Sequence, residues 1–148
     1  MSTSDNDTYL GDAGANNNIA DFDGGDDLFI GYGGNDSFVG GGGDDYIIGG
    51  AGNDRLIGGA GDDVLRAGTG NDYLGGGTGN DLLLGLLGDN KLNGGVGEDI
   101  LVAGSGDNVL VGGSDSDKFV FTDKFGGHGE AKVVDFTIGE DSLHIISD

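Results

Sequence analysis

The stretch GGAGNDRLIGGAGDDVLRAGTGNDYL, residues 49–74, sets down nearly the same nine letters three times. Each unit opens on glycines, reaches an acidic residue, and places a large apolar residue two positions later. Followed outward, the phase holds without insertion for eleven nonads, from Phe22 to Val120. The best-formed units read G-G-x-G-x-D-x-U-x, with U large and apolar. The fourth position is glycine in every unit but the last, where Asp115 stands. The sixth position is Asp27, Asp36, Asp45, Asp54, Asp63, Asp72, Asp81, Asn90, Asp99, Asn108 and Asp117. The eighth never fails: Phe29, Phe38, Ile47, Leu56, Leu65, Leu74, Leu83, Leu92, Leu101, Leu110 and Phe119.

Glycine adopts positive φ angles that other residues resist, so the first six positions read as a loop that gathers backbone carbonyls. The last three read as a short strand whose central side chain points away from its two neighbours. Loop, strand, loop, strand makes a coil of eighteen residues. Stacked coils give two parallel sheets with the eighth-position residues packed between them. The expected fold class is therefore all-β, a parallel solenoid over residues 22–120. Residues 1–21 read as degenerate repeats forming an N-terminal cap, out of phase by two residues. Residues 121–148 read as a short C-terminal β cap, in which Val133, Phe136, Ile138, Leu143, Ile145 and Ile146 suggest two antiparallel strands.

Composition narrows the chemistry. Among 148 residues there are 36 glycines and no proline, which is unlike an ordinary globular core. Twenty-seven acidic residues against six basic ones give a formal charge of −21. A compact state must offset that self-repulsion, and phosphate backbones are excluded as partners by sign. With no cysteine, a structural metal would be held by oxygen, which favours a hard ion such as calcium. No stretch of eighteen apolar residues predicts a membrane span, and the first residues lack the cationic start and apolar run of a secretory signal peptide. No H-E-x-x-H, G-x-S-x-G or cysteine nucleophile is present, and the only histidines are His128 and His144, so no enzyme is expected.

On these repeats the chain resembles the RTX, or repeats-in-toxin, family of calcium-binding parallel β-rolls. The tail strengthens the resemblance through Asp117–Phe121, Asp135–Phe136 and Gly139–Leu143, which match segments that close such rolls. The resemblance implies an ion between each pair of stacked loops. It is held by both sixth-position carboxylates, by carbonyls two and four of the first loop, and by carbonyls one and three of the next. Since consecutive nonads fall on opposite sides, Asp27, Asp45, Asp63, Asp81, Asp99 and Asp117 stack on side A, and Asp36, Asp54 and Asp72 stack on side B with Asn90 and Asn108. Carried over to side A, Asp27 and Asp45 join carbonyls of Gly25, Gly40 and Gly42, and Asp45 and Asp63 join Gly41, Gly43, Gly58 and Ala60. Asp63 and Asp81 join Gly59, Gly61, Gly76 and Thr78, and Asp81 and Asp99 join Gly77, Gly79, Gly94 and Val96. On side B, Asp36 and Asp54 join Gly34, Gly49 and Ala51, and Asp54 and Asp72 join Gly50, Gly52, Ala67 and Thr69. Asn90 and Asn108 keep an oxygen but lose the charge, so their sites should be weaker. Phe22 and Asp23 stand where glycines belong, which predicts an irregular first gap. The expected complement is about seven calcium ions, and up to about nine with the weaker sites.

Fifth-position residues such as Asp26, Asp44, Asp62, Asp89 and Asp107 are expected to face solvent without ligating. The outward positions of the side A sheet, Leu28, Ile30, Tyr46, Ile48, Leu82, Leu84, Ile100 and Val102, are much more apolar than those of side B. That face is expected to be covered by the C-terminal segment or by a second copy of the chain. The family resemblance further implies a secreted protein, exported by type I secretion, that is disordered without calcium and folds outside the cell. Other readings are a calcium-dependent adhesin or polysaccharide-binding module, through Tyr32, Tyr46 or Tyr73, and more remotely ice binding through Thr69 and Thr78. The stacked neighbours of Thr69 would be Ala51 and Leu87, which denies it a threonine ladder.

Overall fold

A computed structural model describes residues 6–15, 24–122 and 129–146. The described residues contain strands and turns and no helix. In chain order the strands are β1 (Thr8–Leu10), β2 (Leu28–Ile30), β3 (Ser37–Gly42), β4 (Tyr46–Ala51), β5 (Arg55–Ala60), β6 (Val64–Thr69) and β7 (Tyr73–Thr78). They continue with β8 (Leu82–Leu87), β9 (Lys91–Val96), β10 (Ile100–Ala103), β11 (Asn108–Ser114), β12 (Lys118–Thr122), β13 (Ala131–Val133) and β14 (Ser142–Ile146). From β2 to β12 they alternate between two sheets. Sheet A runs β1-β2-β4-β6-β8-β10-β12-β14, and sheet B runs β3-β5-β7-β9-β11-β13. Every neighbouring pair is parallel, and in the repeat region the register is eighteen residues, as in Ile47↔Leu65 and Leu56↔Leu74.

The eighth-position side chains fill the gap between the sheets and are essentially inaccessible from Phe29 to Phe119. Each such Leu, Ile or Phe contributes roughly 1.5–3 kcal/mol by leaving water. At the N-terminal end the filling is aromatic: Phe29 and Phe38 lie 5.4 Å apart by ring centroids, and Tyr9 lies 5.5 Å from Phe38. Tyr9 thus takes the eighth-position place in β1, opposite Phe29.

Two features differ from the sequence reading. Most central strands are six residues long instead of three, because positions one to three also join the ladder of the next coil. Gly43 N–H, for example, donates to the Ala60 carbonyl at 2.8 Å, and Gly61 N–H to that of Thr78 at 2.8 Å. Only positions four to six are left as the turn. Second, the C-terminal strands are parallel, not antiparallel: β13 pairs with β11 and β14 with β12. The spiral simply takes a longer coil, matching Lys118 to Ser142, and goes on. Both strands therefore extend the sheets at their ends and do not lie across the outer face of sheet A, where Tyr46 and Ile100 are 42% and 38% exposed. Leu143 and Ile145, in line with Phe119 and Phe121, are 51% and 75% exposed at the last coil.

Backbone twist at the turns explains the glycines. Gly43 has φ of 110°, and a Cβ there would strike the Gly25 carbonyl. Gly59 has φ of 134°, and a Cβ would strike the Gly41 carbonyl of the coil below. The turn geometry is strong enough to impose itself where glycine is missing. Tyr32 and Leu86 at the second position and Asp115 at the fourth adopt φ of 67°, 61° and 78°.

Candidate metal centre

The sixth-position residues form two buried ladders, one on each side of the solenoid. All eleven are at most 3% exposed. Each side chain reaches back one coil. Asp45 Oδ1 accepts from Asp27 N–H at 2.8 Å, Asp63 Oδ1 from Asp45 N–H at 2.8 Å, and Asp81 Oδ1 from Asp63 N–H at 2.8 Å. On side B, Asp54 Oδ1 accepts from Asp36 N–H at 2.9 Å and Asp72 Oδ1 from Asp54 N–H at 2.7 Å. The backbone thus fixes one carboxylate oxygen per loop.

The other oxygen is stranded. Oδ2 of Asp27, Asp45, Asp54, Asp63, Asp72, Asp81 and Asp99 is buried without a hydrogen-bond partner among the described residues. These oxygens also face other oxygens. A Cβ placed on Gly40 would collide with Asp45 Oδ2 and lie 2.8 Å from the Gly58 carbonyl. At Gly76 it would meet Asp81 Oδ2 and, at 2.7 Å, the Gly94 carbonyl; at Gly94, Asp99 Oδ2 and, at 2.6 Å, the Gly112 carbonyl. Side B repeats this at Gly49, with Asp54 Oδ2 and the Ala67 carbonyl at 2.8 Å. A buried polar atom left unpaired costs free energy, and oxygens converging on oxygens repel, so each cradle is built for something positive.

Burial is the largest influence on the acidity of these groups, and it pushes them up. Asp63 and Asp99 rise to about 7, and Asp45, Asp54 and Asp117 to about 6. Asp72 and Asp81 also rise through burial. The backbone N–H bond to each opposes the shift, and neighbouring carboxylates add to it at most of these positions. A cation between the loops would oppose this shift by favouring the charged carboxylates.

Asn90 and Asn108 keep the ladder: Asn90 Oδ1 accepts from Asp72 N–H at 2.9 Å, and Asn108 Oδ1 from Asn90 N–H at 3.1 Å. Their second atom is satisfied, because Asn90 Nδ2 donates to the Gly85 and Gly88 carbonyls and Asn108 Nδ2 to that of Gly106.

Sequence reading missed three parts of this arrangement. Fifth-position side chains are exposed, as expected, but they also staple the coils, in the forward direction. Asp26 Oδ1 accepts from Asp44 N–H at 3.0 Å and Asn53 Oδ1 from Asn71 N–H at 2.8 Å. Aligning the nonads gives the signal: that position is Asp or Asn except at Glu98 and Ser116. Asp7, within the stretch NDTYL that reads as a degenerate repeat, joins the ladder as a sixth position that the sequence reading did not assign, its own N–H donating to Asp27 Oδ1 at 2.7 Å. At the other end Asp141 Oδ1 accepts from Asp117 N–H at 2.9 Å, so the G-x-D of the tail is a further sixth position. Asp135 caps sheet B on the same side, near Asp117, by accepting from Gly112 and Gly113 N–H at 2.9 Å each.

Of the predicted carbonyls, those of Gly58, Ala67 and Gly94 lie beside stranded Oδ2 atoms, and those of Ala51, Ala60, Thr69, Thr78 and Val96 accept from fourth-position N–H groups of the preceding coil on the same side. A carbonyl has a second lone pair, so this does not remove it as a ligand. The expected irregularity at Phe22 and Asp23 lies outside the described residues. Tyr46 and Tyr73 lie on strands of different sheets, and Thr69 stacks on Ala51 and Leu87, so neither an aromatic platform nor a threonine row is assembled.

No group of three or more His, Cys, Asp or Glu side chains converges among the described residues. The buried carboxylates, with backbone carbonyls beside them, are oxygen donors of the kind calcium takes. Fold and site together define a parallel β-solenoid with oxygen-lined turns stacked on both sides. The family model of the RTX calcium-binding nonapeptide repeat (4 copies) matches residues 23–56, 48–83 and 84–119, well over half of the chain. The chain belongs to this family, and it is a calcium-binding RTX module. No curated protein matches it significantly.

Proposed function

We propose that the chain is a calcium-driven folding switch of a secreted bacterial protein. The observation that carries this reading is the row of buried Oδ2 atoms facing carbonyl oxygens. Held apart from any cation, these oxygens oppose closure of the loops, while short strands alone do not offset chain entropy. Calcium between the loops converts the repulsion into binding free energy, which is then folding free energy. The ligands are the sixth-position aspartates of each stacked pair, with carbonyls two and four of one loop and one and three of the next. About five ions belong to side A and about two to side B. Extracellular calcium modules work at about 0.1–1 mM, so such a chain stays open at cytosolic calcium and closes outside. Type I export fits that sequence of states.

Far-ultraviolet circular dichroism during a calcium titration, with magnesium as control, tests the switch. A coil-to-β transition in the sub-millimolar to millimolar range is expected. A full β spectrum in excess chelator at pH 7.5 would make the roll a constitutive scaffold. Self-association through the apolar outer face of sheet A belongs to the same proposal as to partners. Sedimentation of the calcium-loaded protein should show association growing with concentration, and a monomer throughout would remove it.

A further inference from the structure

Side B changes character after Asp72. Asn90 and Asn108 are each 1% exposed and occupy the sixth position. The orientation of each amide is fixed from one side, because Oδ1 is required by the N–H of the preceding loop, at 2.9 Å for Asp72 and 3.1 Å for Asn90. Nδ2 is therefore turned to the same place that Oδ2 takes in the aspartate loops. There it meets carbonyls: Asn90 Nδ2 lies 2.9 Å from Gly85 O and 3.1 Å from Gly88 O. Asn108 Nδ2 lies 2.9 Å from Gly106 O and 3.5 Å from Gly104 O and Ser105 O.

We propose that Asn90 and Asn108 are internal substitutes for calcium. The partial positive charge of each amide N–H₂ does within the chain what an ion does elsewhere, and it closes the C-terminal part of side B to calcium. This rests on the calcium reading above, and deepens it. An ion between Asn90 and Asn108 would need the carbonyls of Gly88 and Ser105, and both accept from amides. An ion between Asp72 and Asn90 would lack one negative charge and would meet the Asn90 N–H₂ beside the Gly85 carbonyl. Turning an amide round to offer its oxygen would strand a buried backbone N–H. The two sites are thus not weakened calcium sites, as charge alone suggests, but sites where an amide N–H₂, positive at its hydrogens, points at the carbonyls in place of a carboxylate oxygen and repels a cation. Side B keeps ion sites only between Asp36 and Asp54 and between Asp54 and Asp72, while side A remains aspartate from Asp27 to Asp117.

Counting bound calcium on the whole chain by native mass spectrometry at saturating calcium, with circular dichroism alongside, tests this. The wild type should carry about seven ions, Asn90→Asp about eight, and Asn90→Asp with Asn108→Asp about nine. Asp54→Asn installs the same amide in a calcium loop; it should stay folded and lose one or two ions. A wild type already holding about nine ions, or a folded Asn90→Asp or Asp54→Asn with an unchanged count, would overturn the substitution. A wild type holding none would instead overturn the calcium reading on which it rests. If the added carboxylates prevent folding, Asp54→Asn still decides the question.

Discussion

The loop that ends at Asp81 and the loop that ends at Asn90 are neighbours in sequence and face opposite sides of the roll. Their backbones are alike: Gly79 and Gly88 have φ of 125° and 107°, and Leu83 and Leu92 beyond them are equally buried. Both sixth-position residues use one oxygen to accept from the N–H of the coil below, at 2.8 Å for Asp81 and 2.9 Å for Asn90. They differ in the second atom. Asp81 Oδ2 has no partner among the described residues, and Asn90 Nδ2 has two. The β-roll geometry is thus common to both loops, and what the side chain decides is where the compensating positive charge comes from. An amide carries it within the chain, and a carboxylate must find it in solution.

The contrast between the two kinds of loop should show most strongly in the pH response of the chain in excess chelator. The aspartate loops contain carboxyls that burial raises from 3.8 to about 6 or 7 in the fold. Between the unfolded and folded values the fold holds protons that the unfolded chain has released, so stability falls as pH rises. It is greatest below about 3.8 and is lost by about 7. Several carboxyls act together, each losing at most about 1.4 kcal/mol for every pH unit crossed in that window. The chelated chain should therefore gain β structure on acidification from about pH 8 to about pH 4. Saturating calcium should invert the trend, because protons then compete with the ion for the same oxygens. The amides of Asn90 and Asn108 do not titrate. Circular dichroism across pH with and without calcium checks this, and a chelated chain equally unfolded at both ends of the range would refute it.

Much of this molecule was readable from period alone. A fixed step of nine residues gave the two sheets, the eighth-position core and the two ladders, because in a solenoid each coil copies the last and every contact is a local translation. What escaped were the hydrogen bonds between copies. Positions one to three look like loop because they are glycine, yet their carbonyls extend the strands, as at Ala60. The tail looked antiparallel because Val133 and Leu143 carry alternation without the nonad, and alternation does not give strand direction; a longer coil keeps them parallel. The closure of the asparagine loops escaped for a different reason. Sequence shows that a charge is missing at Asn90, but only geometry shows which carbonyls its amide reaches.

A finer difference separates the two acidic positions of a single loop. Asp44 and Asp45 are adjacent, and by charge alone they are interchangeable. Asp45 is buried with a stranded oxygen, whereas Asp44 is exposed and uses Oδ1 to accept from Asp62 N–H at 2.8 Å. Asparagine offers the same Oδ1, and Asn35, Asn53, Asn71 and Asn80 make the equivalent bond elsewhere in the roll. Asp44→Asn should therefore leave the ion count and the calcium midpoint nearly unchanged. Asp44→Ala should cost about 0.5–1.5 kcal/mol, the worth of one exposed hydrogen bond, again without losing an ion. Thermal unfolding at saturating calcium and ion counting on both variants measure this. Loss of an ion from Asp44→Asn would mean that the fifth position ligates, and the distinction between stapling and binding carboxylates would fail.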